Sequence, residues 1–130
     1  MYLLDTNAVI HFFKGQGRVA EQLAMRSPVE IGIPAVVLYE LQVGVHKSKN
    51  PEKNQALIDR FVGTIDVIPF GYDEAKAAAR IRADLESKGE VIGPVDILIA
   101  ATASASNHIL VTNNVKEFKR VHRLDVVDWL

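Results

Sequence analysis

Short apolar runs recur along the chain, each separated from the next by a longer stretch whose apolar residues fall at helical spacing. Tyr2–Leu4, Val29–Ile33, Ile65–Phe70, Ile109–Val111 and Val126–Val127 read as strands. A parallel strand is buried on both faces and reads as a continuous apolar run, and two such strands need a crossover helix between them. The intervening segments supply those helices. They are Ala8–Lys14, Arg18–Arg26, Ala35–His46, a fourth opening at Asn50-Pro51-Glu52, Glu74–Lys88, a sixth from Gly93-Pro94 to Asn107, and a short helix or turn over Asn113–Arg120. Ala56, Leu57, Phe61 and Val62 mark the inner face of the fourth, and Ala75, Ala78, Ala79, Ile81 and Leu85 that of the fifth. Gly15 and Gly89 stand where helices end. The alternation predicts an α/β fold around a mainly parallel sheet.

With 130 residues the chain is expected to form a single domain over 1–130, long enough to bury a core without cross-links. It has no cysteine, which excludes disulfides, thiolate metal sites, iron–sulfur clusters and cysteine nucleophiles. Fifteen Lys+Arg against sixteen Asp+Glu give a net charge of −1, so any nucleic-acid binding must rest on a local patch. The apolar stretch Ile97–Val111 is too short and too polar to span a bilayer, and no basic region precedes the first apolar run. A cytoplasmic protein with no membrane contact is expected.

Three carboxylates are placed unusually for a soluble protein. Asp5 directly follows the first strand, and sites in open parallel sheets form at the carboxyl ends of strands. Glu40 lies three and four residues after Val37 and Val36 and four before Gly44, which puts it on the apolar, tightly packed side of its helix. Asp96, in the first turn of its helix, shares a face with Ile99, Ala100 and Ala103 and points inward. Inward carboxylates are costly unless paired, hydrogen-bonded or bound to a cation, and converging ones raise one another's pKa. A divalent cation resolves that conflict. Oxygen-only ligands favour Mg²⁺ or Mn²⁺, the ions that serve phosphodiester hydrolysis. Each acid also has a purely structural alternative: Asp5 as a helix cap worth about 1 kcal/mol, Asp96 as a complement to the helix dipole, Glu40 as the partner of a buried arginine. The histidines (His11, His46, His108, His122) share no metal-ligand spacing, and Trp129 reads as packing.

Four blocks then resemble a known family: Leu4-Asp5-Thr6-Asn7, Leu38-Tyr39-Glu40-Leu41-Gln42-Val43-Gly44, Pro94-Val95-Asp96-Ile97-Leu98-Ile99-Ala100, and Val111-Thr112-Asn113-Asn114 with Phe118. In this order, over nearly the whole chain, they are similar to the PIN-domain ribonucleases, and among those to the VapC toxins of type II toxin–antitoxin systems. The resemblance implies a PIN-like three-layer α/β/α sandwich around a mainly parallel central sheet. It implies a Mg²⁺- or Mn²⁺-dependent endoribonuclease that inhibits translation by cutting RNA, with a tRNA as the expected substrate. Asp5, Glu40 and Asp96 become metal-site and catalytic residues, and Thr6 and Asn7 shape the first loop. A homodimer is also implied, with apolar residues of the second and fourth helices as its contact, and a VapB-type antitoxin that occludes the site.

The chain departs from the pattern in one place. Many family members carry Asp directly after the Thr-Asn pair, where Asn114 stands here. Glu117 is the nearest carboxylate and the candidate fourth catalytic acid, against the alternative of a solvated residue between Lys116 and Lys119. Thr112 and Asn113 are candidates to hold a metal-bound water or a phosphate, or simply end the strand. Lys119 and Arg120, in the basic cluster Lys116–Arg123, are candidates to position a phosphate backbone, and Arg80 and Arg82 on the long helix could do the same. A non-catalytic PIN-like module binding RNA or protein is the alternative reading, with Asn114 in its favour. A phosphotransfer domain built on Asp5 would need a second Asp two residues later, where Asn7 stands.

Overall fold

Leu3, Leu4, Ile33, Leu110 and Val111 have no exposed surface, as strands covered on both faces require. In the computed structural model, which describes residues 1–130, they lie on three neighbouring strands of one sheet. The elements run β1 (Tyr2–Leu4), α1 (Thr6–Lys14), α2 (Val19–Ala24), β2 (Ile31–Pro34), α3 (Ala35–His46), α4 (Pro51–Val62), β3 (Asp66–Ile68), α5 (Tyr72–Lys88), α6 (Pro94–Ala105), β4 (Ile109–Val111), α7 (Val115–Phe118) and β5 (Asp125–Val127). Every pairing is parallel, in the order β3-β2-β1-β4-β5. The expected sandwich is therefore present. Right-handed crossovers put α1 to α4 on one face and α5 to α7 on the other.

Local departures have local causes. The strand expected over Val29–Ile33 begins only at Ile31, because Pro28–Glu30 forms a 3-10 turn in which the Glu30 carboxylate accepts the Ser27 amide at 3.0 Å. Helix α1 starts before Ala8, at Thr6, since the Asp5 carboxylate caps it by accepting the Ala8 N–H at 2.8 Å. In α5 the buried alanines are Ala77 and Ala78, while Ala75 and Ala79 are exposed. In α4 Ala56 is exposed and Ile58 and Phe61 are buried.

Of the apolar residues on α2 and α4 expected to meet a second copy, some are spent inside the chain, while Ala56 and Met25, just after α2, stay exposed. Val19, Ile58 and Phe61 are buried inside the chain, and the Phe61 ring packs on Phe12 and Phe13. Trp129 is packing, as its sequence position implies. It is buried against Tyr2 with ring centroids 5.0 Å apart, and the Arg26 guanidinium lies 4.6 and 4.7 Å from the two ring centres. The chain end is tied down beside it. Arg18 N–H donates to the Trp129 carbonyl at 2.8 Å, next to Gly17 at φ 66°.

Candidate active site

The sheet order reverses direction at β1: β2 and β3 step to one side, β4 and β5 to the other. In open α/β sheets the crevice at such a switch point is where ligands bind. Leu4 pairs with Val111 at the carboxyl ends of β1 and β4, so the next residues, Asp5 and Thr112, fall side by side at the crevice. The Asp5 amide donates to the Val111 carbonyl at 3.0 Å. Thr112 is wholly buried and its hydroxyl bonds the Asp5 carboxylate. Of the two expectations for it, contact with a bound water or phosphate and simply ending the strand, its burial leaves the contact with Asp5 as the one the fold provides.

Asp5 is 5% exposed, and its pKa is pushed up to about 6. Burial is the main cause. The bonds from Thr112 and Ala8 hold the value down, while Asp96 and Glu40 raise it further. The Asp96 pKa is also raised, by burial first and then by the charges of Glu117 and Glu40. Sequence-distant positions 5, 40, 96 and 117 thus feel one another at one end of the sheet. No cation neutralises them: the ion pairs of the molecule are Arg82–Glu86 and Lys88–Asp84, both elsewhere.

Two of the acids are held by neighbours. The Thr6 hydroxyl donates to the Glu40 carboxylate at 2.5 Å. The Asn114 amide donates to the Glu117 carboxylate at 2.8 Å, and the Asn114 N–H donates to Thr112 Oγ1 at 3.0 Å. Asn114, the alternative to Glu117 for completing the site, is thus tied to both Glu117 and Thr112. The available signal was an Asn with a Glu three residues on at the start of a short helix, the spacing of reciprocal capping. Asn7 and Asn113 are exposed beside the crevice residues.

Glu40 itself is half-buried, not on a tightly packed face. Gly44, one turn on, is exposed, with nothing within 4 Å of where a Cβ would stand. Both line an apolar groove of about 500 Å³ between α1, α3 and α4, with Phe13, Leu41 and Leu57 in its walls. Of the two basic candidates, Lys119 is exposed, whereas Arg120 is engaged: its guanidinium donates to the Val91 carbonyl at 3.2 Å, bracing α7 against the loop before α6.

One buried and three half-buried acids, set at the switch point of an all-parallel five-stranded sheet, are the arrangement of a PIN domain. A family model described as PIN domain matches residues 2–124. The chain belongs to the VapC branch of the PIN-domain family. It is 40% identical to "Ribonuclease VapC2" of Rickettsia felis, over 99% of this chain and 98% of that protein. It is 38% identical to "tRNA(fMet)-specific endonuclease VapC" of Shigella flexneri, over 98% and 97%. The fold superposes with a TM-score of 0.91 on the crystal structure of VapBC2 from Rickettsia felis bound to a DNA fragment from its promoter. That match has 38% identity and covers 99% and 98% of the two chains.

Proposed function

We propose that this protein is a divalent-metal-dependent endoribonuclease, the toxin of a VapBC-type toxin–antitoxin pair, and that it cuts tRNA in the cytoplasm as one PIN domain over residues 1–130. The observation that carries the reading is the cluster of Asp5, Glu40, Asp96 and Glu117 with no Lys or Arg partner. Relatives named as ribonucleases and as a tRNA(fMet)-specific endonuclease support the reaction and the substrate class. No helix is long and apolar enough to cross a membrane.

The donor set suits Mg²⁺ or Mn²⁺: oxygen ligands only, in excess negative charge that a dication would relieve. As they stand, no three carboxylates or imidazoles enclose a common point, because Glu40 and Glu117 are turned onto Thr6 and Asn114. Asp5 and Asp96 would hold the ion, with Glu40 as a further ligand. When bound, it would lower the pKa of a water and offset charge growing on phosphate oxygens. Alternatively Glu40, oriented by Thr6, would align the attacking water in place of binding the ion. Glu117, held by Asn114, completes the acidic wall. Thr112 keeps the Asp5 carboxylate in place. Attack of the water oxygen on phosphorus breaks one P–O bond of the RNA backbone and releases the two ends.

For the antitoxin, the apolar groove beside Glu40 fits an amphipathic helix laid between α1, α3 and α4. A helix there would cover the approach to Glu40. For a homodimer, exposed Val91 and Ala79 beside the α5–α6 cleft of about 500 Å³ add a further apolar contact to those on α2 and α4. The decisive experiment is cleavage of bulk tRNA by the purified chain with Mg²⁺, with Mn²⁺ and with EDTA, beside Asp96→Asn. Discrete fragments that need metal and vanish in the variant support the nuclease. Absence of cleavage by folded, antitoxin-free protein that also fails to bind Mn²⁺ favours a binding module.

A further inference from the structure

An acidic crevice repels the substrate it must receive. The chain has a net charge of −1, so attraction for a polyanion has to come from a local concentration of cations. The basic cluster Lys116–Arg123 does not stay together in the fold. Arg120 is bound to the Val91 carbonyl, and Arg82 on α5 is paired with Glu86 at 3.0 Å.

Arg123 instead joins Arg80 and Lys88 in a cleft of about 580 Å³, bounded by α5, by the end of α6 at Asn107 and by Val121–Arg123. Its sole carboxylate, Asp84, is engaged by Lys88 at 3.0 Å, which leaves the guanidiniums of Arg80 and Arg123 without an acidic partner. Arg80, Asp84 and Lys88 lie four residues apart along one helix face, a stripe about 12 Å long.

The place of the cleft also matters. The Arg120–Val91 bridge stands between it and the acids in both chain segments: Glu117 is three residues before Arg120, and Asp96 five after Val91. On the other side, Val121 directly follows Arg120 and Lys88 precedes Val91 by three, and both line the cleft. The cleft thus shares two chain segments with the acid cluster, while Asn107 and Arg123, which precede β4 and β5, set its far side toward the amino ends of those strands, away from the acids. The backbone adds an independent sign. Arg123 and Asn107, with φ of 63° and 55°, are the non-glycine residues at positive φ, and both line this cleft. Glycine adopts that conformation with less strain, so an arginine held there points to a use for its side chain.

We propose that this cleft is an RNA exosite: Arg80 and Arg123 hold phosphodiester groups of the same RNA several nucleotides from the bond being cut. The exosite rests on the nuclease reading above and extends it to how a long RNA is retained. Guanidinium groups suit the task because their paired donors match phosphate oxygens.

The test uses Arg80→Gln/Arg123→Gly, two residues outside the acid cluster. Arg123→Gly relieves the positive φ, so the variant is expected to unfold at no lower denaturant concentration than the parent. Two substrates are compared in Mg²⁺: bulk tRNA, and RNA tetranucleotides too short to reach from the acids into the cleft. Expected is a fall in kcat/KM of at least about 10-fold on tRNA with the tetranucleotides cut as before. For tRNA binding in an Asp96→Asn background, the log K against log salt slope should become shallower by about 1.5, two phosphate contacts at about 0.7–0.9 each. Equal losses on both substrates, or no loss on either and an unchanged slope, would overturn the exosite. If the parent cuts neither substrate, the nuclease reading falls, and the salt slope alone decides whether the cleft holds RNA.

Discussion

Replacing Asp5 by Asn should make the protein more stable while destroying its activity. The pKa of Asp5 rises from 3.8 to about 6 on folding, chiefly by burial. Between those values the folded chain holds a proton that the unfolded chain has released. Stability therefore falls as pH rises through this window, by about 1.4 kcal/mol per pH unit. Above pH 6 the ionised carboxylate costs the fold about 3 kcal/mol relative to its protonated form. Asp5 is buried, so solvent screening takes little from this figure. An amide keeps the shape and can accept the Ala8 N–H through its oxygen, while the Thr112 hydroxyl turns to accept from its nitrogen. In urea unfolding with EDTA, Asp5→Asn should gain about 2–3 kcal/mol at pH 7.5, a midpoint shift of roughly 2 M. At pH 4, with the wild-type carboxyl protonated in the folded state, the gap should close to under about 1 kcal/mol. A variant no more stable than wild type at pH 7.5, or one with the same gain at both pH values, would show that the charge of Asp5 is not what strains the fold.

Three further outcomes follow from named contacts. Thr6→Val removes the hydroxyl that holds Glu40, and should lower kcat/KM for RNA cleavage by about 10–100-fold with little change in Tm. Asn114→Asp replaces the donor on Glu117 with a like charge; calorimetric titration should find tighter Mn²⁺ binding, and unfolding at pH 8 in EDTA a loss of about 1 kcal/mol. Gly17→Ala combines positive φ with a Cβ 3.0 Å from the Leu130 backbone and should cost about 2 kcal/mol or more in scanning calorimetry. Gly15→Ala, at the same φ but in open space, should cost only about 1 kcal/mol.

The strands and most helix bounds were legible because continuous apolar runs and end residues such as Asp5, Pro51 and Gly89 act within a few positions of themselves. The error over Val29–Ile33 had a readable warning in Ser27-Pro28-Val29-Glu30, the capping spacing with a proline at the first helical position. Alanine-rich α5 gave no such contrast: with Ala at Ala75, Ala77, Ala78 and Ala79, the buried face is chosen by packing against α6. The site acids were legible through resemblance and through their placement after β1 and early in α6. What Thr112, Asn114, Arg120 and Gly44 do was not, since each role depends on which element lies opposite. The Arg120–Val91 bond spans 29 residues, and nothing at either position announces the other.

The central place of β1 has a consequence for how the protein comes off the ribosome. This first strand can meet β2 early, but its other edge pairs Tyr2 with Ile109 and Leu4 with Val111. That edge stays open until more than four-fifths of the 130 residues have been made. Asp5 waits with it, lacking the Val111 carbonyl and the Thr112 hydroxyl, and Glu117 is later still. The pairing of β1 with β4 therefore does two things at once: it closes the middle of the sheet and brings Asp5 to Thr112.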